Sequence, residues 1–164
     1  MADKRIISLL IAFSLVACGD HGGHDKNAHR AAECVADTLT ISNAWIRESR
    51  PGVRSTAAFM EICNGGGDVA LSGATFVHAD VAELHISQTD ENAIATMRKL
   101  NELEIAAGTQ AKLAPGGVHL MLIGLKPEIA TEENPVIELT FSDGQVIEAP
   151  FEFKSAAPGG HSHH

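Results

Sequence analysis

The stretch PGGVHLMLI, residues 115–123, decides how this chain folds. Its Pro-Gly-Gly start favours a turn, and the alternating residues that follow favour a β-strand. Because side chains i and i+2 of a strand share a face, one face is apolar and consists of Val118, Leu120 and Leu122. His119 and Met121 share the opposite face. The sequence therefore predicts a strand that carries an imidazole and a thioether side by side, away from the core.

Two earlier stretches also place a histidine, His85, and a methionine, Met97, on the strand face opposite the apolar residues. In VAELHI, residues 81–86, Leu84 and Ile86 point inward, and His85 shares its face with Glu83. Met97 likewise shares a face with Lys99, whereas Met60 reads as a core residue. Eleven residues separate His85 from Met97, and twenty-one separate Met97 from His119. Imidazole suits several transition metals, but thioether sulfur selects Cu(I), so the quartet predicts a Cu(I) site.

The spacing His-x11-Met-x21-His-x-Met, with Pro-Gly-Gly before the second histidine, resembles the periplasmic copper chaperone family called PCuAC. Supporting segments are NAWIR (43–47), ELH (83–85), MR (97–98) and HLMLIGL (119–125). The resemblance covers roughly residues 39–153. Many members carry a further methionine directly after the first histidine, where this chain has Ile86.

The resemblance implies a cupredoxin-like fold and a non-enzymatic role. It implies Cu(I) binding by His85, Met97, His119 and Met121. It also implies delivery of copper to the binuclear copper centre of a respiratory oxidase, directly or through a Sco-like thiol protein.

Short β-favouring runs separated by turn residues make up the rest of residues 33–155, the predicted copper-binding domain. The runs are 38–47, 55–63, 69–77, 81–87, 95–100, 110–113, 118–123, 136–142 and 145–153. No stretch has the pattern of a long amphipathic helix or a repeat. We therefore predict an all-β fold, a Greek-key β-sandwich or barrel. Asp143-Gly144 predicts a tight hairpin with positive φ at both residues.

The first 32 residues predict export. Residues 1–17 have a short basic start followed by an apolar run too short to span a bilayer, as in a signal peptide. Cys18 follows Leu-Val-Ala, which predicts cleavage and lipidation at that cysteine; the alternative is an ordinary secretory signal. Residues 18–32 predict a lipidated, disordered linker. The chain is thus expected at the periplasmic face of a bacterial membrane, held by a lipid anchor.

The chain has three cysteines, so Cys34 and Cys63 remain once Cys18 is lipidated. In an oxidising compartment such a pair usually bonds, so a disulfide is predicted. The alternative is that both thiols bind copper or exchange disulfides, although the chain has no Cys-x-x-Cys.

Three histidines, His161, His163 and His164, lie in the predicted disordered tail, residues 156–164. They are the candidate ligands of a second, looser Cu(II) site. The histidines of the linker fit either weak metal binding or a solvated tether. The net charge of −9 excludes nucleic acid as a partner by electrostatic repulsion, and a monomer is expected.

Three other functions compete with a copper carrier. An electron-transfer cupredoxin needs a Cys thiolate with two His and an axial Met, and no Cys-x-His loop precedes Met121. An extracellular binding or adhesion lipoprotein would have incidental metal affinity. A copper-dependent enzyme would need an open coordination position beside a substrate pocket. Two further residues are interpreted. Trp45 is read as a core residue, the alternative being a shield for the metal, and Glu83 as an orienting acceptor for His85 or a solvated carboxylate.

Overall fold

The computed structural model describes residues 34–91 and 94–155. That part of the chain contains no helix long and apolar enough to cross a membrane. The predicted signal peptide, the lipidation site Cys18, the linker and the histidine tail with His161, His163 and His164 lie outside the described residues.

Eleven strands and one short 3-10 helix, Pro127–Thr131, form the described part of the chain. The all-β prediction is therefore confirmed. The strands are β1 Leu39–Arg47, β2 Ser55–Asn64, β3 Val69–Phe76, β4 Val81–Thr89, β5 Ala95–Lys99, β6 Leu103–Ile105, β7 Gln110–Leu113, β8 Val118–Ile123, β9 Val136–Phe141, β10 Val146–Pro150 and β11 Glu152–Lys154.

The predicted strands match the observed ones within about two residues, with two exceptions. The run 145–153 is two strands, because β10 pairs with β9 whereas β11 pairs in parallel with β1. The change of partner follows Pro150, after which the N–H of Phe151 donates to the carbonyl of Pro135. Strand β6 was not predicted, since three residues are too few to show an alternating pattern.

The strands form one continuous hydrogen-bonded sheet in the order β10-β9-β3-β4-β8-β2-β1-β11, with β5, β6 and β7 paired to β4, β3 and β2. Strands β2, β3 and β4 each pair with two different strands along one of their own edges. Strand β2, for example, pairs with β8 through Ser55–Ala58 and with β7 through Met60–Cys63. The sheet thereby wraps around a single core. Its fully buried side chains include Ile46, Met60, Ile62, Leu71, Leu120, Leu122 and Leu139.

The hairpin between β9 and β10 has a different turn from the predicted one. Gly144 has a positive φ of 87°, but Asp143 does not. The N–H of Gly144 donates to the carbonyl of Phe141, and the Asp143 carboxylate accepts from the N–H of Gln145. Only the backbone of Gly144 is therefore left-handed. The Asp143 side chain caps the turn through its hydrogen bond from Gln145, and the Asp143 backbone keeps a negative φ.

A disulfide joins Cys34, ahead of β1, to Cys63 near the end of β2. The two Cα atoms are 5.3 Å apart, and 29 positions separate the residues in sequence. Cys63 lies six positions from Ala57, the residue of β2 that pairs with Met121. At about 3.3 Å per residue the cross-link is roughly 20 Å from that pair.

Candidate metal site

The four predicted ligands lie on three neighbouring strands, β5, β4 and β8. His85 of β4 is directly opposite His119 of β8. Met97 of β5 is opposite Ser87, two residues beyond His85, and Met121 is opposite Glu83, two residues before it. Because i and i+2 share a face, the antiparallel register puts all four side chains on one face of the sheet.

The two imidazoles form the centre of this group. Their ring centroids are 6.1 Å apart and their planes are inclined by 48°. The methionines occupy the two diagonal positions relative to His85, where neighbouring side chains of a sheet are about 7–8 Å apart. A thioether on a flexible three-torsion side chain spans such a gap. The register therefore places two imidazoles and two thioethers at neighbouring positions on one face of the sheet.

His119 is buried, with 4% of its surface exposed. Its Nδ1 lies 3.0 Å from the carbonyl oxygen of Gly117. A carbonyl only accepts, so Nδ1 carries the proton and Nε2 keeps its lone pair. The ring centroids of Phe59 and His119 are 6.2 Å apart, so the Phe59 ring lies beside the His119 ring.

His85 has the opposite arrangement of its two nitrogens. Its Nε2 lies 3.2 Å from a carboxylate oxygen of Glu83, so Nε2–H donates, and in the neutral ring Nδ1 is the nitrogen with the lone pair. Nδ1 is buried, and no described residue hydrogen-bonds to it. A buried polar atom without a partner is rare and calls for an explanation. A cation bound by Nδ1 supplies one, so the residues present fit a metal.

Glu83 has a second partner on β5. Its other carboxylate oxygen lies 2.6 Å from the Nζ of Lys99. The Lys99 ammonium, assisted by the N–H of His85, holds the pKa of the Glu83 carboxyl below its ordinary value. The carboxylate is therefore ionised at neutral pH, and it keeps the lysine charge paired beside the proposed cation site.

The four candidate side chains differ in their exposure. Met97 is 53% exposed, which contrasts with the burial of His119. Met97, His119 and Met121 line a cavity of about 470 Å³, which also reaches Arg47 and Arg50. The four candidate ligands were predicted on strand faces turned away from the core; His119 lies on that face but is buried there, which the alternation did not predict. Met60, in contrast, is fully buried in the core, as its alternation predicted.

The donor set matters for the choice of metal. Within residues 34–91 and 94–155, no group of three or more His, Cys, Asp and Glu side chains is placed to hold an ion. Side chains that could complete a site at the His85–His119 pair are the two thioethers on the same sheet face. Since Cys34 and Cys63 are bonded to each other, neither supplies the thiolate that a blue-copper centre needs.

The sequence analysis did not predict that Trp45 and Phe59 pack together beside the site. Trp45 was predicted to pack in the core, but its ring lies 4.4 Å from that of Phe59, on the face that carries His119. The guanidinium carbon of Arg47 lies 5.3 Å from the Phe59 centroid. The sequence signal was the nearly continuous apolar run Thr56–Met60, which does not alternate. Every position of this run is buried in the structure, so β2 is covered on both faces.

Comparison with known proteins agrees with this reading of the fold. The copper-bound PCuAC domain of PmoF2 superposes with a TM-score of 0.60 at 15% identity, covering 76% of this chain and 98% of that domain. The solution structure of Cu(I)-DR1885 from Deinococcus radiodurans gives a TM-score of 0.55 at 26% identity, covering 76% of this chain and 81% of that one. The predicted cupredoxin-like, PCuAC-type fold is confirmed.

Sequence comparison gives the family. The "Putative lipoprotein Lxx21020" of Leifsonia xyli subsp. xyli (strain CTCB07) is 36% identical over 110 residues, which are 66% of this chain and 65% of the relative. The match thus spans slightly less than two thirds of that protein. The family model described as "Putative lipoprotein LpqE-like" matches residues 39–153, nearly the whole described domain. The chain therefore belongs to the LpqE-like family.

Proposed function

We propose that this chain is a copper chaperone that binds Cu(I) through His85, Met97, His119 and Met121 and passes it to another protein. The observation that carries the proposal is the directly opposed histidine pair, flanked on its own sheet face by two methionines. The buried, unpartnered Nδ1 of His85 supports it. The copper-bound and Cu(I)-bound forms of the two structural relatives support the choice of metal.

The ligand chemistry favours the monovalent ion. Two neutral thioethers and two neutral imidazoles suit a soft cation and do not oxidise to a disulfide, as thiolates would in an exported protein. Cu(I) is therefore held without a redox-active ligand. The proposed role is binding and transfer, with no catalytic step.

Transfer requires that an acceptor reach the metal while it is still bound. The exposed thioether of Met97 and the cavity lined by Met97, His119 and Met121 provide that approach. An incoming ligand displaces Met97 first, because the buried His119 is the least accessible ligand. We propose the copper-site subunit of a respiratory oxidase, or a Sco-like thiol protein, as the acceptor, on the strength of the PCuAC resemblance.

We also propose that the protein is exported and anchored to the periplasmic face of a bacterial membrane through lipid on Cys18. The lipoprotein descriptions of the family and of the Leifsonia relative support this part of the proposal. Mass spectrometry of the membrane-bound protein is expected to find an N-terminal, acylated Cys18. An unmodified mature N-terminus would contradict the anchor and leave the copper proposal intact.

Titration with Cu(I) is expected to load one ion at the four-ligand site, and X-ray absorption is expected to show both sulfur and nitrogen scatterers around it. Cu(II) is expected to give no intense blue colour, since both domain cysteines are in the disulfide. Removal of residues 156–164 is the matched control, because the histidines that it deletes are His161, His163 and His164 and the four proposed ligands stay in place. A copper coordination shell without sulfur would contradict the proposed ligand set.

Cu(I) affinity is expected to fall as the pH is lowered, because protons compete with copper for the imidazole lone pairs of His85 and His119. Each competing proton lowers the apparent affinity by up to about tenfold per pH unit, and thioethers contribute nothing because they do not titrate. Competition with a Cu(I) chelator from pH about 5 to 8, on the tail-free chain, measures this. A flat profile would argue against His85 and His119 as ligands.

A further inference from the structure

Glu83 makes two contacts that differ in kind. One carboxylate oxygen lies 2.6 Å from the Lys99 ammonium, as in an ordinary surface ion pair. The other lies 3.2 Å from Nε2 of His85, and 25% of the side chain is exposed. A carboxylate that only solubilised the sheet would not need the second contact.

The two histidines of the site are held through different nitrogens. Gly117 accepts the proton of Nδ1 in His119, whereas Glu83 accepts the proton of Nε2 in His85. Each hydrogen bond fixes one tautomer and leaves the other nitrogen as the ligand. In His85 that other nitrogen is the buried Nδ1 without a partner.

We infer that Glu83 is a positioning residue, which fixes the His85 ring so that copper is bound by Nδ1 of His85 and Nε2 of His119. This inference rests on the proposed copper site and adds to it the identity of each donor atom. Glu83 has a second effect at the same place. It pairs the Lys99 ammonium, which the register puts directly opposite His85 and which would otherwise repel a cation there.

The tautomers are tested in the copper-free protein. Long-range nitrogen–proton NMR spectra at pH about 8, where imidazoles are ordinarily neutral, are expected to show His85 protonated at Nε2 and His119 protonated at Nδ1. His85→Gln and His119→Gln variants assign the signals. A His85 protonated at Nδ1 would overturn the inference, whatever the protein does with copper.

Substitution of Glu83 tests its effect on the metal. Glu83→Val removes the acceptor, and Glu83→Gln keeps a weaker, uncharged one. Both are expected to shift His85 towards a mixture of tautomers. Their Cu(I) dissociation constants are expected to rise, by about 10- to 100-fold for Glu83→Val and by less for Glu83→Gln, as for other partners that orient metal-binding histidines.

Glu61 provides the matched control. It also lies on a strand, its side chain is 19% exposed, and it pairs with Lys112 at 2.8 Å, but it contacts no histidine among the described residues. Glu61→Val and Glu61→Gln are expected to leave both the tautomers and the copper affinity unchanged. Equal losses at both glutamates would assign the effect to surface charge and overturn the inference.

Lys99→Gln separates the two effects of Glu83. It removes the ammonium and leaves the contact between Glu83 and His85, so the His85 tautomer is expected to stay unchanged. A wild-type protein that shows the stated tautomers but binds no Cu(I) would refute the proposed function alone. A protein that binds Cu(I) with His85 in the other tautomer would refute the role of Glu83 alone.

Discussion

Replacing Met121 with leucine is expected to weaken Cu(I) binding by at least about 100-fold, since loss of a group that merely orients a ligand already costs 10- to 100-fold. Leucine is close to methionine in volume, so the fold is expected to survive. Met97→Leu is expected to act in the same direction, and the double variant to lose Cu(I) altogether in competition with a Cu(I) chelator. Circular dichroism and thermal unfolding check that the variants remain folded.

Met60→Leu is the matched control for these variants. Met60 follows Phe59 in β2, but its side chain is fully buried in the core on the other face. We expect unchanged Cu(I) affinity and a stability change below about 1.5 kcal/mol. If the double variant kept its copper affinity, the thioethers would not be ligands. A lipoprotein with incidental metal affinity would then be the better interpretation.

Replacing both Cys34 and Cys63 with serine is expected to lower the free energy of unfolding by roughly 3–4 kcal/mol, from the chain entropy of the closed loop. The cross-link ties the start of the domain, ahead of β1, to β2, the strand that pairs with β1, β7 and β8. Urea denaturation of the variant and of the oxidised wild type, compared at equal pH and temperature, measures the difference.

The same double-serine variant separates a structural disulfide from a copper-binding dithiol. Because the cross-link is about 20 Å from the pairing partner of Met121, Cu(I) affinity is expected to be unchanged under conditions where the variant is folded. Loss of affinity in a folded variant would show that the thiols contribute ligands. Unchanged stability would show that the cross-link does not constrain the unfolded chain.

Alternation along the chain was sufficient to find most strands and to separate the two proposed ligand methionines, Met97 and Met121, from the core methionine, Met60. In β8 the apolar residues Leu120 and Leu122 are fully buried, and Met121 between them is not. The same two-residue period distinguishes Met60, which points into the core. Such patterns are local, because the pleat alone sends neighbouring side chains to opposite faces.

The errors came from interactions between distant residues. The turn at Asp143 depends on where its carboxylate bonds, and the division of β10 from β11 depends on which strand each segment meets. Trp45 looked like a core residue because a large aromatic side chain usually is one. It lies on the other face because Ile46, the next residue of β1, points into the core, and Phe59 packs against Trp45 across the strands.

The sequence by itself determined the all-β class, the kinds of ligand available and the strand face on which each of the four lies. Only the tertiary structure decided that His85 and His119 stand directly opposite each other, that His119 is buried while Met97 is exposed, and that Glu83 and Gly117 hold different nitrogens of the two rings. The physical reason is that the face of a side chain follows from its place along one strand. Register, burial and hydrogen-bond partners are set by strands that are far apart in the chain and meet only when it folds.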